Sequence, residues 1–316
     1  MLELEERISE LERFTAAEGI DKSAEISALR ARHAALLEQI FSNLSPWDKT
    51  LLARHPSRPY MLDYLPLIFE EFQELHGDRR FGDDPAVVAG LARLDDRTVA
   101  IVGHQKGRDT KERQFRNFGS ARPDGYRKAV RIMRMAEKFG HPVISFVDTP
   151  AADPRVESES RGICEAIASS MREMAGLTVP IVVVIIGEGG SGGAIGLAVG
   201  DWVCMLEHSI YSVIPPESCA SILSTFGQDK ARGAEAAEAL RLSAEDTYRL
   251  RVVDEIIAEP RGGAHRDPTA TAERIKASIQ RALEGLSHLG AVELVEQRYR
   301  KFRALGDFQE PPAEDA

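Results

Sequence analysis

Apolar residues in the first 43 positions recur at helical spacing: Leu4, Ile8 and Leu11, then Leu29, Leu36, Leu37 and Ile40. One apolar stripe in each stretch predicts two amphipathic helices. Gly19 marks the break between them, and Asp21 or Ser23 is placed to cap the second. The pair reads as a helical hairpin laid on a main body or on a partner. Pro46, Pro56 and Pro59 mark a link, and an amphipathic helix is predicted over 66–75. The period then changes. Apolar runs at 87–94 and 98–103 flank Asp95-Asp96, which predicts a strand, a tight turn and a returning strand. A polar loop is expected over 104–123 and a helix over 125–139. Two apolar, β-branched runs, 143–147 and 181–186, have no polar face, as expected of strands covered on both sides. A helix over 157–175 separates them. The first run ends in Asp148-Thr149-Pro150, the second in a glycine-rich stretch, 187–193, expected to be a loop that opens a helix of small residues. Short strands follow at 203–206 and 210–214, then helices to about Arg251 and a strand at 252–257. The pattern divides the chain into a helical region (1–85), an α/β core (86–260), C-terminal helices (261–308) and a tail, 309–316, expected to be disordered.

The glycine stretch admits three chemistries. Gly187, Gly189 and Gly192 satisfy the dinucleotide-binding GxGxxG pattern after a strand, with Glu207 twenty residues on. Only about two helical turns fit between Gly193 and the strand at Val203, which is short for a βαβ crossover. Gly189-Gly190-Ser191-Gly192-Gly193 also satisfies GxSxG, with Asp254 and His265 following in hydrolase order. His265 sits in an irregular run, Arg261-Gly262-Gly263-Ala264-His265-Arg266, with nothing to position an imidazole. The third reading uses the backbone: consecutive glycines between strand and helix expose N–H groups, assisted by a helix dipole, that can hold a developing oxyanion. A glycine loop serving only tight packing is the bland alternative.

Composition narrows the field. With 43% hydrophobic and 28% charged residues the chain suits a soluble globular protein, and no apolar run approaches the length of a membrane span. The first 15 residues are acidic, unlike a secretory signal. Cys164, Cys204 and Cys219 show no CxxC spacing, so no structural zinc, no metal site and no disulfide framework is expected, and a reducing cytoplasm fits. A net charge of −10 argues against general binding of nucleic acid. Against that background, Lys106 to Arg134 carries ten Lys/Arg and three Asp/Glu, a patch that could gather phosphates or carboxylates or simply face water.

Several segments together resemble the carboxyltransferase α-subunit family of bacterial acetyl-CoA carboxylases: Ala53-Arg54-His55-Pro56-Ser57-Arg58-Pro59-Tyr60, Gly103-His104-Gln105-Lys106-Gly107-Arg108, Asn117-Phe118-Gly119, Gly125-Tyr126-Arg127-Lys128-Ala129, the glycine stretch itself, Tyr211-Ser212-Val213-Ile214 and Glu259-Pro260-Arg261-Gly262-Gly263-Ala264-His265-Arg266. They run in order over nearly the whole chain. The resemblance implies an α/β, crotonase-like spiral of repeated ββα units with an N-terminal helical hairpin. It also implies a β subunit that carries a zinc ribbon, a biotin carboxyl carrier protein, an acyl-CoA substrate and an α2β2 assembly. The implied reaction moves a carboxyl group from carrier-borne carboxybiotin to acetyl-CoA, giving malonyl-CoA, with no side-chain nucleophile. On that basis Gly189 and Gly190 are expected as backbone oxyanion donors, with Ala151 and Ala152 opposite. Gly192, Gly193, Lys106 and Arg108 are expected to hold substrate.

One segment departs from the family. After Asp148-Thr149-Pro150 the family usually continues Gly-Ala-Tyr-Pro-Gly, whereas this chain has Ala151-Ala152-Asp153-Pro154-Arg155. The altered lip leaves room for a specialised acyl-CoA carboxylase, a biotin-independent acyl-CoA decarboxylase subunit, or a non-catalytic paralogue that docks a β subunit. If biotin is used, Ala151 and Ala152 are expected outside the left-handed region, with Arg155 turned outward or paired with Asp153 or Glu157.

Overall fold

A computed structural model describes residues 2–18 and 21–306. The two N-terminal periodic stretches are helices α1 (Leu2–Glu18) and α2 (Ser23–Phe41), packed on each other. Arg30 pairs with Glu12 at 2.6 Å, and His33 meets Glu5 at 2.8 Å. The Asp21 carboxylate accepts from the Ser23 N–H at 2.9 Å. Gly19, the expected break, lies outside the described residues, as does the tail expected at 309–316. The presumed link contains a helix, α3 (Pro46–Ala53): Pro46 occupies its first turn, and Ser45 and Asp48 close a reciprocal capping box. The helix expected over 66–75 ends early. Helix α4 covers Met61–Ile68, and Glu70–Glu74 forms strand β1, paired antiparallel with β2 (Val87–Leu94). No strand propensity marks β1; its partner's edge decides its conformation.

Strand β3 (Arg97–His104) returns from β2 through a turn with Asp95 at φ 53°, as the alternation and the Asp-Asp pair predict. Strands β4 (Val143–Thr149), β5 (Ile181–Gly190), β6 (Trp202–Leu206), β7 (Ile210–Ser212) and β8 (Glu255–Ile257) complete a sheet in the order β1-β2-β3-β4-β5-β6-β8, parallel from β3 onward. Strand β7 pairs with the far end of β5, beyond the reach of β6. Between and after the strands lie α5 (Thr110–Phe115), α6 (Pro123–Phe139), α7 (Val156–Ser160), α8 (Ile163–Gly176), α9 (Ser191–Ile195), α10 (Pro216–Ile222), α11 (Gly233–Leu240), α12 (Ala244–Arg249), α13 (Pro268–Leu286) and α14 (Ala291–Arg303). The helix expected over 157–175 is divided into α7 and α8 by Gly162 at φ 78°. The strand expected over 252–257 is reduced to β8, because Val252 and Val253 still donate to the Thr247 carbonyl. The ββα pattern is clearest in β2–β3–α6 and in β6–β7 followed by α10.

The apolar runs lack a polar face because helices cover both sides. On β5, Val183 and Ile185 join Ile132, Met133 and Met174 of α6 and α8, while Val182, Val184 and Ile186 join Tyr64, Ile275 and Ile279 of α4 and α13. Each such side chain buried contributes about 1.5–3 kcal/mol. The two packed faces fix the register, since a one-residue slip would exchange them. The carboxyl ends of β4 and β5 are thereby held side by side.

Candidate active site

Those two ends carry the chemistry-bearing segments. Thr149 at the end of β4 lies in register with Gly189 of β5, and Gly189 registers with Tyr211 of β7 on its other side. Residues 187–190 are therefore the last part of a strand, not the loop that a glycine run suggests. The glycines serve close approach: a Cβ on Gly190 would overlap the Pro150 carbonyl oxygen, and one on Gly193 would stand 2.5 Å from the Ala151 carbonyl carbon and 2.6 Å from the Ala152 nitrogen. A Cβ on Gly192 would meet only Ile167 Cδ1, at 3.6 Å. The lip 149–152 and the turn 190–193 thus touch backbone to backbone.

Helix α9 has five residues, so its dipole is small and the expected dipole assistance reduces to individual N–H groups. Those of Ser191, Gly192 and Gly193 open the helix and have no intrahelical acceptor. The Ala151 and Ala152 N–H groups find no protein acceptor among the described residues, and neither residue has a positive φ. Arg155 folds onto Asp153, donating to both carboxylate oxygens at 2.9 Å, and Ser158 Oγ donates to the same group at 2.6 Å. A second Arg155 bond, 3.0 Å to Asn117 Oδ1, ties the lip to the Asn117-Phe118-Gly119 turn, where all three residues have φ between 46° and 80°.

Beneath the turn lies a buried charge network. Lys106 Nζ stands 2.6 Å from Asp148 Oδ1 and 3.2 Å from Glu188 Oε2. Asp148 Oδ1 also accepts from the Glu188 N–H at 2.9 Å, while Asp148 Oδ2 is buried without a partner. Arg54 joins Glu188 at 2.7 Å and Glu217 at 2.6 Å. Burial works against each charge, but the opposite charges outweigh it. Asp148 and Glu188 raise the Lys106 pKa, and Lys106 with Arg54 holds Glu188 below the ordinary carboxylate range. A cavity of about 220 Å³ opens over this network, lined by Arg54, Tyr60, Lys106, Phe118, Pro150 and Glu188 among others. Lys106 therefore reaches the site as a protonated amine whose charge is balanced by Asp148 and Glu188. Arg108 is placed elsewhere: it donates to the Pro56 and Arg58 carbonyls at 2.9 and 2.8 Å, pairs with Asp63 and covers the Tyr60 ring at 4.2 Å.

Behind the turn, His104 is fully buried beside Tyr126, whose hydroxyl donates to the Gly193 carbonyl at 3.2 Å. No well-formed hydrogen bond closes on either ring nitrogen, and burial, then the Lys106 charge, push the imidazole pKa down to about 3 against a weaker upward pull from the Gly193 and Phe146 backbones. The hydrolase trio is dispersed. Asp254 accepts from the Val203 N–H at 2.7 Å and pairs with Lys301, while His265 stacks on His55 with centroids 4.0 Å apart. The dinucleotide reading fails on α9, which leaves no crossover helix of useful length.

Two distant sequence motifs meet in one buried pair. Arg58 donates to Glu259 at 2.5 and 3.0 Å and to the Ile186 carbonyl at 2.8 Å, and Glu259 accepts from the Ala264 and His208 N–H groups at 2.6 and 3.0 Å. This pair fastens α3–α4 and the segment before α13 to β5 just ahead of the glycines. Glu188, Asp148, Arg54, His104, Arg58 and Glu259 lie in segments quoted from the sequence, but sequence reasoning gave none of them a role. A carboxylate inside an apolar strand run, as at Glu188, is the signal that could have found the network.

Comparison with known proteins bears on this geometry directly. The sequence profile of the family described as acetyl co-enzyme A carboxylase carboxyltransferase-like matches residues 1–306. The chain belongs to this family. Relatives described as acetyl-coenzyme A carboxylase carboxyl transferase subunit alpha include a Geobacter metallireducens protein, 53% identical over 98% of this chain and 96% of its own, and a Thermus thermophilus protein, 52% identical over 98% of both. Among solved structures, the core of transcarboxylase 12S with hydrolysed methylmalonyl-coenzyme A bound aligns with a TM-score of 0.60 at 17% identity, over 84% of this chain and 46% of that one. A Pseudomonas malonate decarboxylase hetero-dimer aligns at 0.56 and 16%, over 71% and 90%. These likenesses show the fold, crotonase-like and shared with carboxyltransferases, as the resemblance in the sequence implies. Within this acetyl-CoA carboxylase carboxyltransferase-like chain, no group of three or more His, Cys, Asp or Glu could hold a metal among the described residues. No described helix is long and apolar enough to cross a membrane.

Proposed function

We propose that this chain is the α-type half of an acetyl-CoA carboxylase carboxyltransferase, accepting carboxybiotin from a separate carrier protein and completing its site with a β subunit. Its work is carboxyl transfer to acetyl-CoA in the cytoplasm, giving malonyl-CoA, within an α2β2 assembly whose β chains carry the zinc ribbon. The observation that carries this reading is the contact between lip and turn, which leaves N–H groups of Ala151, Ala152, Gly192 and Gly193 without protein acceptors. Negative charge develops on the urea oxygen as the carboxyl leaves and on the thioester oxygen as the α-carbon becomes nucleophilic. Fixed N–H donors stabilise such charge by about 3–4 kcal/mol each in comparable sites. Gly189 and Gly190, held in the sheet, set the depth of the cradle, and Lys106 keeps Asp148 and Glu188 neutralised beneath it. Arg108 acts by positioning the Pro56–Asp63 segment that walls the cavity. Identity above 50% to acetyl-CoA carboxylase subunits, against 16% to the malonate decarboxylase, favours the carboxylase over a decarboxylase or a specialised paralogue.

The test is Ser191→Ala in the reconstituted α–β complex, followed by malonyl-CoA to biocytin transfer. Activity within about threefold of wild type is expected, because Ser191 contributes backbone only. A loss of about 10⁴-fold or more, the size seen for a removed nucleophile, would overturn the backbone reading.

A further inference from the structure

The basic stretch 106–134 divides in the fold. Lys106 and Arg108 serve the region just described, whereas Arg127, Arg131 and Arg134 of α6 do not. They line a separate groove of about 340 Å³ between α6, α8 and the turn 77–82, together with Arg79, Arg80 and Arg172. Six arginines in one groove are unexpected in a chain of net charge −10.

Of the three carboxylates that share the groove, Glu165 and Glu173 are engaged by arginines, and Asp78 is engaged through Oδ1 alone, its Oδ2 being buried without a partner. Asp78 accepts the N–H groups of Arg80, Phe81 and Gly82 at 2.8, 2.8 and 3.0 Å. Glu165 takes Arg127 at 3.1 Å and Ser169 Oγ at 2.7 Å, and Glu173 takes both arms of Arg134 at 2.8 and 2.7 Å. Arg79, Arg80 and Arg131 are left with no carboxylate within salt-bridge distance among the described residues. Arg79 and Arg131 donate to the same His76 carbonyl oxygen, each at 3.1 Å, so two guanidinium groups crowd on one neutral acceptor. Burial and then the Arg79 charge lower the Arg131 pKa, outweighing the opposing charges of Asp83 and Asp78. Among the described residues the Arg80 guanidinium makes no hydrogen bond, although its charge helps to lower the Glu165 pKa.

The turn that presents these groups is built, not loose. Asp78 N–H closes it on the Gly82 carbonyl at 2.8 Å, and Gly77 N–H is held by Asp83 at 2.9 Å. Arg79 sits at φ 62°, a left-handed conformation that a non-glycine residue keeps only where its surroundings impose it. Guanidinium forks match phosphate oxygens two at a time, and three forks without an ion-paired carboxylate exceed what one phosphate needs. We propose that this groove binds the pyrophosphate group of a small phosphorylated ligand.

The experiment is calorimetric titration of the purified full chain at low salt, with inorganic pyrophosphate as the probe and orthophosphate and sulfate as controls. ADP and coenzyme A form separate arms, which distinguish a free nucleotide from a coenzyme as the source of the group. Saturable 1:1 binding of pyrophosphate, at least tenfold tighter than of either control, is expected. Replacing Arg80, which makes no side-chain hydrogen bond or ion pair among the described residues, should leave the melting temperature within about 1 °C; Arg80→Ala should weaken binding at least fivefold, and Arg80→Glu should abolish it. The proposal is overturned if pyrophosphate shows no saturation at millimolar concentration, or if both variants bind like wild type. It is equally overturned if only long polyanions such as single-stranded RNA or heparin bind, since the groove would then be a macromolecular surface.

Discussion

Adding one methyl group at Gly193 tests the cradle at its tightest point. In Gly193→Ala the new Cβ would stand 2.6 Å from the Ala152 nitrogen, where an ordinary contact needs about 3.5 Å, so lip or turn must yield by roughly 0.9 Å. Neighbours on that side are backbone, which cannot rotate away. Overpacking of this kind costs about 1–3 kcal/mol of stability, and a displacement of about 1 Å at reacting groups costs on the order of 10²-fold in rate. Gly192→Ala is the matched control, since its Cβ meets only Ile167 Cδ1 at an unstrained 3.6 Å. The assay is malonyl-CoA to biocytin transfer in the reconstituted complex, reading kcat and KM separately, with urea unfolding of each variant. Gly193→Ala should lose on the order of 10²-fold in kcat/KM and stay folded, while Gly192→Ala stays within about threefold of wild type. Equal damage from the two variants, or none from Gly193→Ala, would refute the backbone-contact reasoning.

Two further expectations concern the buried charges behind the cradle. Lys106→Met leaves Asp148 and Glu188 facing each other, with Arg54 still on Glu188 and the Arg58 charge near Asp148, and should lower the urea unfolding free energy by about 3–5 kcal/mol; a fall below about 1 kcal/mol would show that Lys106 does not hold the network. His104 takes up its proton only near pH 3 in the folded chain but near 6.5 when unfolded, so acid favours unfolding and stability drops by about 1.4 kcal/mol per unit as pH falls from 6.5 toward 3. His104→Phe should therefore lose about 2 kcal/mol less than wild type between pH 7 and 5, and an unchanged difference would mean that His104 does not titrate this way.

Much of the fold was legible because local pattern and tertiary outcome agree. The Asp95-Asp96 hairpin, the two-sided apolar strands and the helical hairpin follow from periodicity and turn chemistry alone. The failures have physical causes. Pro46 read as a link because proline usually interrupts structure, yet at the first turn of a capped helix it costs nothing. Glu70–Glu74 carries no strand signal and is ordered by β2, which no local window contains. The glycines at 187–190 read as a loop because a flexible turn and a close backbone approach leave the same residue behind. The site was legible as a motif but not as a mechanism. Lys106 was singled out, but its partners Asp148 and Glu188 lie 42 and 82 residues along the chain, and Arg58 and Glu259 are 201 apart. Such pairings depend on topology. Arg155 with Asp153 was legible, being two residues apart.

The claim that this chain holds half of a carboxyltransferase site is tested most directly by reconstitution. Malonyl-CoA to biocytin transfer should be measured with the purified chain alone, with a zinc-ribbon β subunit alone, and with the two combined. Activity is expected only in the combined sample, because the proposed cradle of lip and turn would supply donors for one substrate and the proposed β subunit the other side of the site. Robust transfer by the single chain, or an inactive complex that nonetheless assembles, would contradict it.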